Sequence, residues 1–223
     1  MPRLSSRVKR QKLASLIVAR LQKEFPNPHC ELYYETPYQL LVSVVLSAQT
    51  TDKSVNRQME PLYRQGFGPE TALAWGQELL LSKIRTIGLA PTKSKNVIKL
   101  TQILMEKYQG KVPHSREALE ALPGVGRKTA NVVLGEIFKE PTLAVDTHVF
   151  RVTTRLALQK EANPLKAEKE LLLILDQKVL PAAHHLFIFL GRYVCQARKP
   201  ACASCVLQDI CAYNLEHNKG KLV

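Results

Sequence analysis

Nearly every apolar stretch of this chain carries the helical spacing, and alternating strand patterns are scarce. A chain patterned this way buries its apolar faces by packing helix on helix, so the expected fold is all-α. The stretch TPYQLLVSVVLSAQ opens with Thr36 at the N-cap, Pro37 at N1 and Gln39 at N3, a capping-box arrangement. Its body, Leu40 to Leu46, is apolar nearly all round and belongs in a core. TDKSVNRQMEPLYRQG follows as an amphipathic helix closed at Gly66, and GQELLLSKIRTIGLAPTKSKNVIKLTQILMEKYQG reads as two helices separated at Gly88-Leu89-Ala90-Pro91. Lys93, Lys95 and Lys99 cluster after that break, as either a solvated face or a phosphate-facing one. SREALEAL is a short helix with Ser115 at its N-cap. After two glycines, Ala130, Val133, Leu134, Ile137 and Phe138 mark another helix, with Lys128 and Asn131 off its apolar stripe. The basic opening MPRLSSRVKRQK starts a helix whose apolar residues are Val8, Leu13, Leu16, Ile17 and Leu21, and NPLKAEKELLLILDQKVL and AAHHLFIFLGRYVC supply further helices.

Charge narrows the partner. Lys and Arg number 32 against 19 Asp and Glu, a formal charge of +13. A polyanion explains that excess, and nucleic acid is the commonest one; a basic surface serving solubility alone is the alternative. With 6% aromatic residues, a sheet that stacks single-stranded bases is disfavoured. No apolar run reaches the ~18 residues that span a bilayer, and the start lacks a secretory apolar stretch, so the expected location is intracellular.

The stretch LPGVGRKTAN carries the first chemistry. Gly124 and Gly126 permit positive φ and close backbone approach, so the N–H groups of the turn, with Val125 and Arg127, can converge on an anion. The positive end of the next helix dipole starts at the same place, so a DNA phosphate can be held without any reading of base sequence. A Walker A loop is excluded, because Arg127 separates Gly126 from Lys128; a dinucleotide fingerprint is excluded, because Thr129 stands where its third glycine belongs.

Cys195, Cys202, Cys205 and Cys211 form a C-x6-C-x2-C-x5-C array. Four thiolates so close could surround Zn²⁺ or an iron–sulfur cluster, and spacing alone does not choose. Arg192, Arg198 and Lys199 lie on or beside the array, where they can present cations to a DNA backbone. Cys30 has no place in it and reads as a packed free thiol.

LPGVGRKTANVVL resembles the helix-hairpin-helix of the endonuclease III family of DNA glycosylases. LAVDTHVFR, LLVSVVLSAQTTD and the cysteine loop are similar to motifs of that family in the same order, over nearly the whole chain. The resemblance implies one [4Fe–4S] cluster on the four cysteines. It implies two helical domains flanking a DNA-binding groove: residues 30–140, with the helix-hairpin-helix at about 115–138, and a discontinuous cluster domain of residues 1–29 and 141–223. It implies Lys128, at the mouth of that groove, as nucleophile at C1′ of a damaged nucleotide, with burial and neighbouring cations lowering its pKa. Asp146 is implied as the counter-charge to the cationic sugar; an aspartate capping the helix that begins THVFRVTTRL is the structural alternative, and the roles can coexist. His148 either lines the pocket or packs on the core. Gln49 and Leu89 are implied to fill the gap left by an extruded base, where the residues alone suggest a helix-end Gln and a packed loop Leu. Thr50 departs from the small apolar residue common in the family's LSAQATD.

The expected activity is a bifunctional glycosylase and AP lyase excising oxidised or ring-damaged pyrimidines from duplex DNA, in a monomeric, cytoplasmic, nucleoid-associated bacterial protein. The rivals are a monofunctional mismatch glycosylase on the same fold, which typically lacks a lysine at this position, and a non-catalytic DNA-binding module, which leaves the pairing of Lys128 with Asp146 unexplained.

Overall fold

A computed structural model describes residues 6–217. Among them the regular structure is helical: α1 (Arg7–Glu24), α2 (Pro37–Ser47), α3 (Asp52–Arg64), α4 (Pro69–Ile84), α5 (Ala90–Tyr108), α6 (Arg116–Glu120), α7 (Arg127–Ile137), α8 (Thr147–Arg155), α9 (Pro164–Leu172), α10 (Leu180–Phe189) and α11 (Ala212–His217). A π-helical turn, Leu190–Val194, continues α10, and a 3-10 turn spans Cys202–Ser204. No described helix is long and apolar enough to cross a membrane. The chain divides into two units, Cys30–Glu140 and the residues on either side of that stretch.

The continuous unit is organised around α2. Thr36 Oγ1 accepts from Gln39 N at 3.2 Å, and Gln39 Oε1 accepts from Thr36 N at 3.3 Å, closing the capping box. Gln39 is itself buried, and its Nε2 donates to Phe67 O at 3.1 Å, so the capping residue also anchors the loop after α3. Leu40, Leu41, Val42 and Leu46 are inaccessible to solvent and pack with Val55 and Met59 of α3, Leu80 and Ile84 of α4, Val97 and Leu100 of α5, and Val133 of α7. Polar atoms within this core are paired: Ser43 Oγ and the Tyr63 hydroxyl lie 2.8 Å apart, and the Tyr38 hydroxyl lies 2.7 Å from Thr101 Oγ1.

The second unit has a separate core. Ile17 and Leu21 of α1 pack with Val149 and Val152 of α8, Leu171 of α9, and Leu186 and Phe187 of α10. Leu207, in the middle of the cysteine loop, is also inaccessible to solvent and joins this core.

Several local expectations shift. The buried stripe of α1 is Ala14, Ile17, Val18 and Leu21, at spacings of three, one and three, whereas Val8 and Leu16 are exposed; Met1–Ser5 of the basic opening lie outside the described residues. The helix expected from Gly76 begins earlier, at Pro69, and is interrupted at Gly76, whose φ is +65°. The break before α5 is shorter than expected, because Pro91 sits inside the first turn of α5, where its missing N–H costs no helix bond. Asn131 is not a surface residue of α7: it is buried and accepts a hydrogen bond from Arg116 Nη1 across the helical hairpin.

Candidate active site and metal centre

The hairpin between α6 and α7 is set locally. Ser115 Oγ accepts from Ala118 N at 3.3 Å and caps α6, and Val125 N donates to Leu122 O at 3.0 Å to close the turn. The two glycines then do different things. Gly124 has φ +81°, and a Cβ there would lie 3.0 Å from Asn96 Nδ2 of α5 and 3.2 Å from Val45 Cγ1 of α2, so this glycine turns the chain against the core. Gly126 has φ −103°, outside the left-handed region, and a Cβ there would meet nothing within 4 Å. It is the N-cap of α7 and brings no side chain to cap that helix. The start of α7 therefore leaves room beside Gly126 for a phosphate to approach the positive end of the helix dipole. Val125 is buried and its N–H is consumed by the turn, so it presents neither group outward.

Lys128 stands in that first turn and is exposed, so the burial expected for it is absent in the chain by itself. Arg127, beside it, is half-buried.

Two further candidates of the same unit share a backbone peculiarity. Gln49, after α2, and Leu89, the N-cap of α5, are exposed and both adopt positive φ, +56° and +61°. Non-glycine residues held there cost about 1–3 kcal/mol each, a strain that surrounding structure has to enforce. The loops abut: a Cβ on Gly88 would lie 3.6 Å from Gln49 O and 3.5 Å from Thr50 Oγ1. Lys93 departs from both of its expected roles. Its side chain is buried, and Nζ donates to Leu46 O at 2.8 Å and Thr50 Oγ1 at 2.9 Å. Burial holds its pKa below the ordinary 10.5.

In the other unit, Asp146 caps α8: Oδ1 accepts from Val149 N at 2.7 Å. Capping uses one carboxylate oxygen and leaves Oδ2 for other work. His148 is half-buried one turn on. Its Cβ lies so close to Gly191 that a Cβ on that residue would come within 2.8 Å, and its Nδ1 lies 3.2 Å from Arg151 Nη2. An arginine is donor only, so this contact makes Nδ1 the acceptor and leaves Nε2 to carry the proton. Arg151 Nη2 also donates to Gly191 O at 2.8 Å, and its Nε to Cys195 O at 3.2 Å.

Cys195, Cys202, Cys205 and Cys211 line one pocket whose floor includes Leu156 and Leu190. Burial pushes the Cys202, Cys205 and Cys211 thiols above their usual range, and each also feels the neighbouring cysteines of the set. A zinc ion at about 2.3 Å from each sulfur would draw four thiols to within about 3.8 Å of one another. Among the described residues no three Cys, His, Asp or Glu side chains converge on a single-ion position. Four thiols lining one pocket fit an iron–sulfur cluster, whose protein ligands are cysteine thiolates.

Two arginines that the sequence reading missed strap this loop to the unit's core. Arg155 of α8 donates to Cys195 Sγ at 3.2 Å, Gln196 O at 2.8 Å and Ala197 O at 2.9 Å, and its guanidinium lies 4.6 Å from the Tyr213 ring centre. Arg20 of α1 donates to Val206 O at 3.1 Å and, through both terminal nitrogens, to Asp209. Nothing local marks these residues, since their partners lie 40 or more positions away. Arg192 is half-buried and Arg198 and Lys199 are exposed.

Comparison with known proteins places these features. Residues 42–177 match the HhH-GPD superfamily of base excision DNA repair proteins, and residues 195–211 match the iron–sulfur binding domain of endonuclease III. That second match agrees with the thiol geometry and assigns a [4Fe–4S] cluster to the four cysteines. Endonuclease III of Haemophilus influenzae is 48% identical over 88% of this chain and 93% of its own. A solved trapped endonuclease III–DNA covalent intermediate, an estranged-adenine complex, superposes with a TM-score of 0.87 at 42% identity, over 92% of this chain and 97% of that one. A non-covalent endonuclease III–DNA complex gives 0.88 at 41%, over 94% and 98%. With a family match over more than half its length and a relative this similar across most of it, the chain belongs to the endonuclease III family of base excision DNA repair enzymes.

Proposed function

We propose that this chain is a bifunctional DNA glycosylase and AP lyase that removes oxidised or ring-damaged pyrimidines from duplex DNA. The observation that carries the reading is the exposed Lys128 amine in the first turn of α7, next to an N-terminus that no side chain caps. The backbone N–H groups suffice for the phosphate, so the amine is not needed for that grip. A trapped covalent DNA intermediate of a similar protein supports a nucleophile in this family.

The chemistry follows in balanced steps. Lys128 Nζ, unprotonated, attacks C1′; the C1′–N bond to the damaged base breaks, and the base leaves with the bonding pair and takes up a proton. Ring opening of the sugar gives a Schiff base between Nζ and C1′. A base then takes a C2′ proton, the C–H electron pair moves into the C1′=Nζ system, the C3′–O bond breaks and the 3′ phosphate leaves with its bonding pair; water hydrolyses the remaining Schiff base and frees Lys128. Lys128 is exposed in the free chain, so exclusion of water around the attack has to come with bound DNA. Asp146 stabilises the cationic sugar through the oxygen that capping leaves unused. His148, with Nδ1 committed to Arg151, directs an Nε2–H donor toward the backbone of the substrate. Gln49 and Leu89 fill the space of the extruded nucleotide. Gly124, Gly126 and Arg127 shape the phosphate site of one unit, and Arg192, Arg198 and Lys199 of the other offer cations to the DNA backbone. The [4Fe–4S] cluster, when bound, supplies ligation that orders residues 195–211. The two units act as the two functional domains, and one copy of the chain supplies every proposed residue, so the enzyme works as a monomer on chromosomal DNA in a bacterial cell.

Reaction with duplex DNA carrying an oxidised pyrimidine, with borohydride present, tests the reading. A covalent adduct is expected, together with its loss in Lys128→Ala while DNA binding persists. Base release without an adduct identifies a monofunctional glycosylase; binding with neither release nor adduct identifies a DNA-binding module.

A further inference from the structure

Lys93 is the one cation of its cluster that the structure places where neither of its expected roles can operate. It is 4% exposed, and two of its three donors are used, on Leu46 O and Thr50 Oγ1. Leu46 O belongs to the last turn of α2, where carbonyls lack intrahelical partners and the helix dipole is negative, so an ammonium is favoured there. Thr50 directly follows Gln49. Lys93 itself lies in the first turn of α5, and its backbone N–H donates to the carbonyl of Leu89 at 3.0 Å. The residue that reaches across to Thr50 therefore also fixes Leu89 through its own backbone.

These bonds converge on Gln49 and Leu89, two exposed residues held at positive φ. A desolvated ammonium is a costly way to cap α2, and an apolar side chain of similar length would fill the same space without that cost. What the apolar side chain would not do is hold the 49–50 loop and the start of α5 in one register. The hairpin is supported from the same elements, since Gly124 packs on Asn96 of α5 and Val45 of α2.

We propose that Lys93 is a positioning residue for base extrusion: by bridging the end of α2, the Thr50 hydroxyl and the first turn of α5, it presents Gln49 and Leu89 to DNA as one rigid wedge. Thr50 is the second member of this clamp, and an alanine at that position would leave the ammonium one acceptor fewer. The inference rests on the reading of Gln49 and Leu89 as insertion residues.

The test uses the cluster-loaded full chain and one oxidised pyrimidine in two settings, paired in a duplex and placed in an unpaired bubble of the same sequence. A base already out of the stack needs little extrusion, so a wedge defect should show only in the paired setting. Thr50→Val keeps volume and removes one acceptor; its single-turnover excision from the paired duplex is expected to fall about tenfold, the worth of one charge-assisted hydrogen bond, with bubble excision and DNA affinity unchanged. Lys93→Met is expected to lose more in the same pattern, and 2-aminopurine opposite the lesion should report a weaker unstacking signal in both variants. Equal losses on the two substrates, or a lower unfolding temperature with no kinetic change, would make Lys93 a purely structural residue and overturn the proposal. Gln49→Ala and Leu89→Ala serve as references. If they slow paired excision and Thr50→Val does not, the clamp fails alone; if they leave it unchanged, the insertion reading fails and takes the clamp with it.

Discussion

The two glycines of the hairpin differ in what they tolerate, and substitution should separate them. Gly124→Ala forces an L-residue into φ +81° and places a Cβ 3.0 Å from Asn96 Nδ2 and 3.2 Å from Val45 Cγ1. The left-handed conformation costs about 1–2 kcal/mol and the overpacking about 1–3 kcal/mol, offset by about 0.4–1 kcal/mol from a stiffer unfolded chain. A net loss of about 3 kcal/mol corresponds to roughly 6–12 °C in unfolding temperature for a chain of this length. Gly126→Ala meets no such cost: φ is −103°, no atom lies within 4 Å, and the poorer N-cap is offset by the unfolded-state gain. Its added methyl instead stands at the start of α7, where a phosphate would approach, and should weaken binding to an undamaged duplex by about tenfold, the worth of one charge-assisted hydrogen bond. Circular dichroism melts of the cluster-loaded protein and fluorescence anisotropy at fixed salt give both numbers. Equal melting losses in the two variants, or wild-type DNA affinity in Gly126→Ala, would refute this division between packing and phosphate approach.

Four further outcomes are expected. Asp146→Asn retains the cap on Val149 N and so the melting temperature, but slows excision on the order of a hundredfold through loss of the charge, whereas Asp146→Ala loses about 1 kcal/mol of stability as well. Arg155→Met removes the donor to Cys195 Sγ and to two loop carbonyls, and the cluster's visible absorbance should decay about tenfold faster against an iron chelator. Because the folded chain releases the Lys93 proton at lower pH than the unfolded chain does, wild type should gain stability relative to Lys93→Met as pH rises from the lowered folded value toward 10.5, and show no change in that difference below it; a gain on acidification would reverse the sign of the argument. Duplex affinity should fall with salt by about 0.9 in log–log slope for each neutralised phosphate, and a flat dependence would remove the polyanion reading of the +13 charge.

What could be read from the sequence were interactions that close within a few residues. The capping box at Thr36 and Gln39, the Ser115 cap and the turn at Gly124 are each settled inside one turn of chain, and all stand in the structure. So is the cap at Asp146, which the sequence named as one of two coexisting roles. The order of motifs carried the family, and the spacing of the cysteines carried their grouping, though not the choice between zinc and iron–sulfur. That choice came with the family resemblance, and the match to the iron–sulfur binding domain of endonuclease III supports it. Lys93 could not be read because its partner lies 47 residues away, and in the sequence it looks like Lys95 and Lys99. Arg155 was hidden for the same reason: its partners lie 40 to 42 residues on, and a terminal arginine of a helix is ordinary in composition.

The residues whose partners the sequence hides share a physical form. Asn131, Lys93 and Arg155 are polar side chains that reach out of one helix to satisfy groups at the end of another segment: the partner helix of the hairpin, the carbonyl end of α2, and the carbonyls of the cysteine loop. Hydrophobic periodicity assigns each a place on its own helix and is blind to what lies across from it. In a fold built only from helices there is no sheet ladder to tie distant segments, so loops that must hold a fixed shape depend on such long polar reaches. The residues that sequence patterns leave on a solvated face are then the ones to examine first. For this chain the loops that carry Gln49 and Leu89, both at positive φ, are joined by a buried lysine that the sequence left on a solvated or phosphate-facing surface.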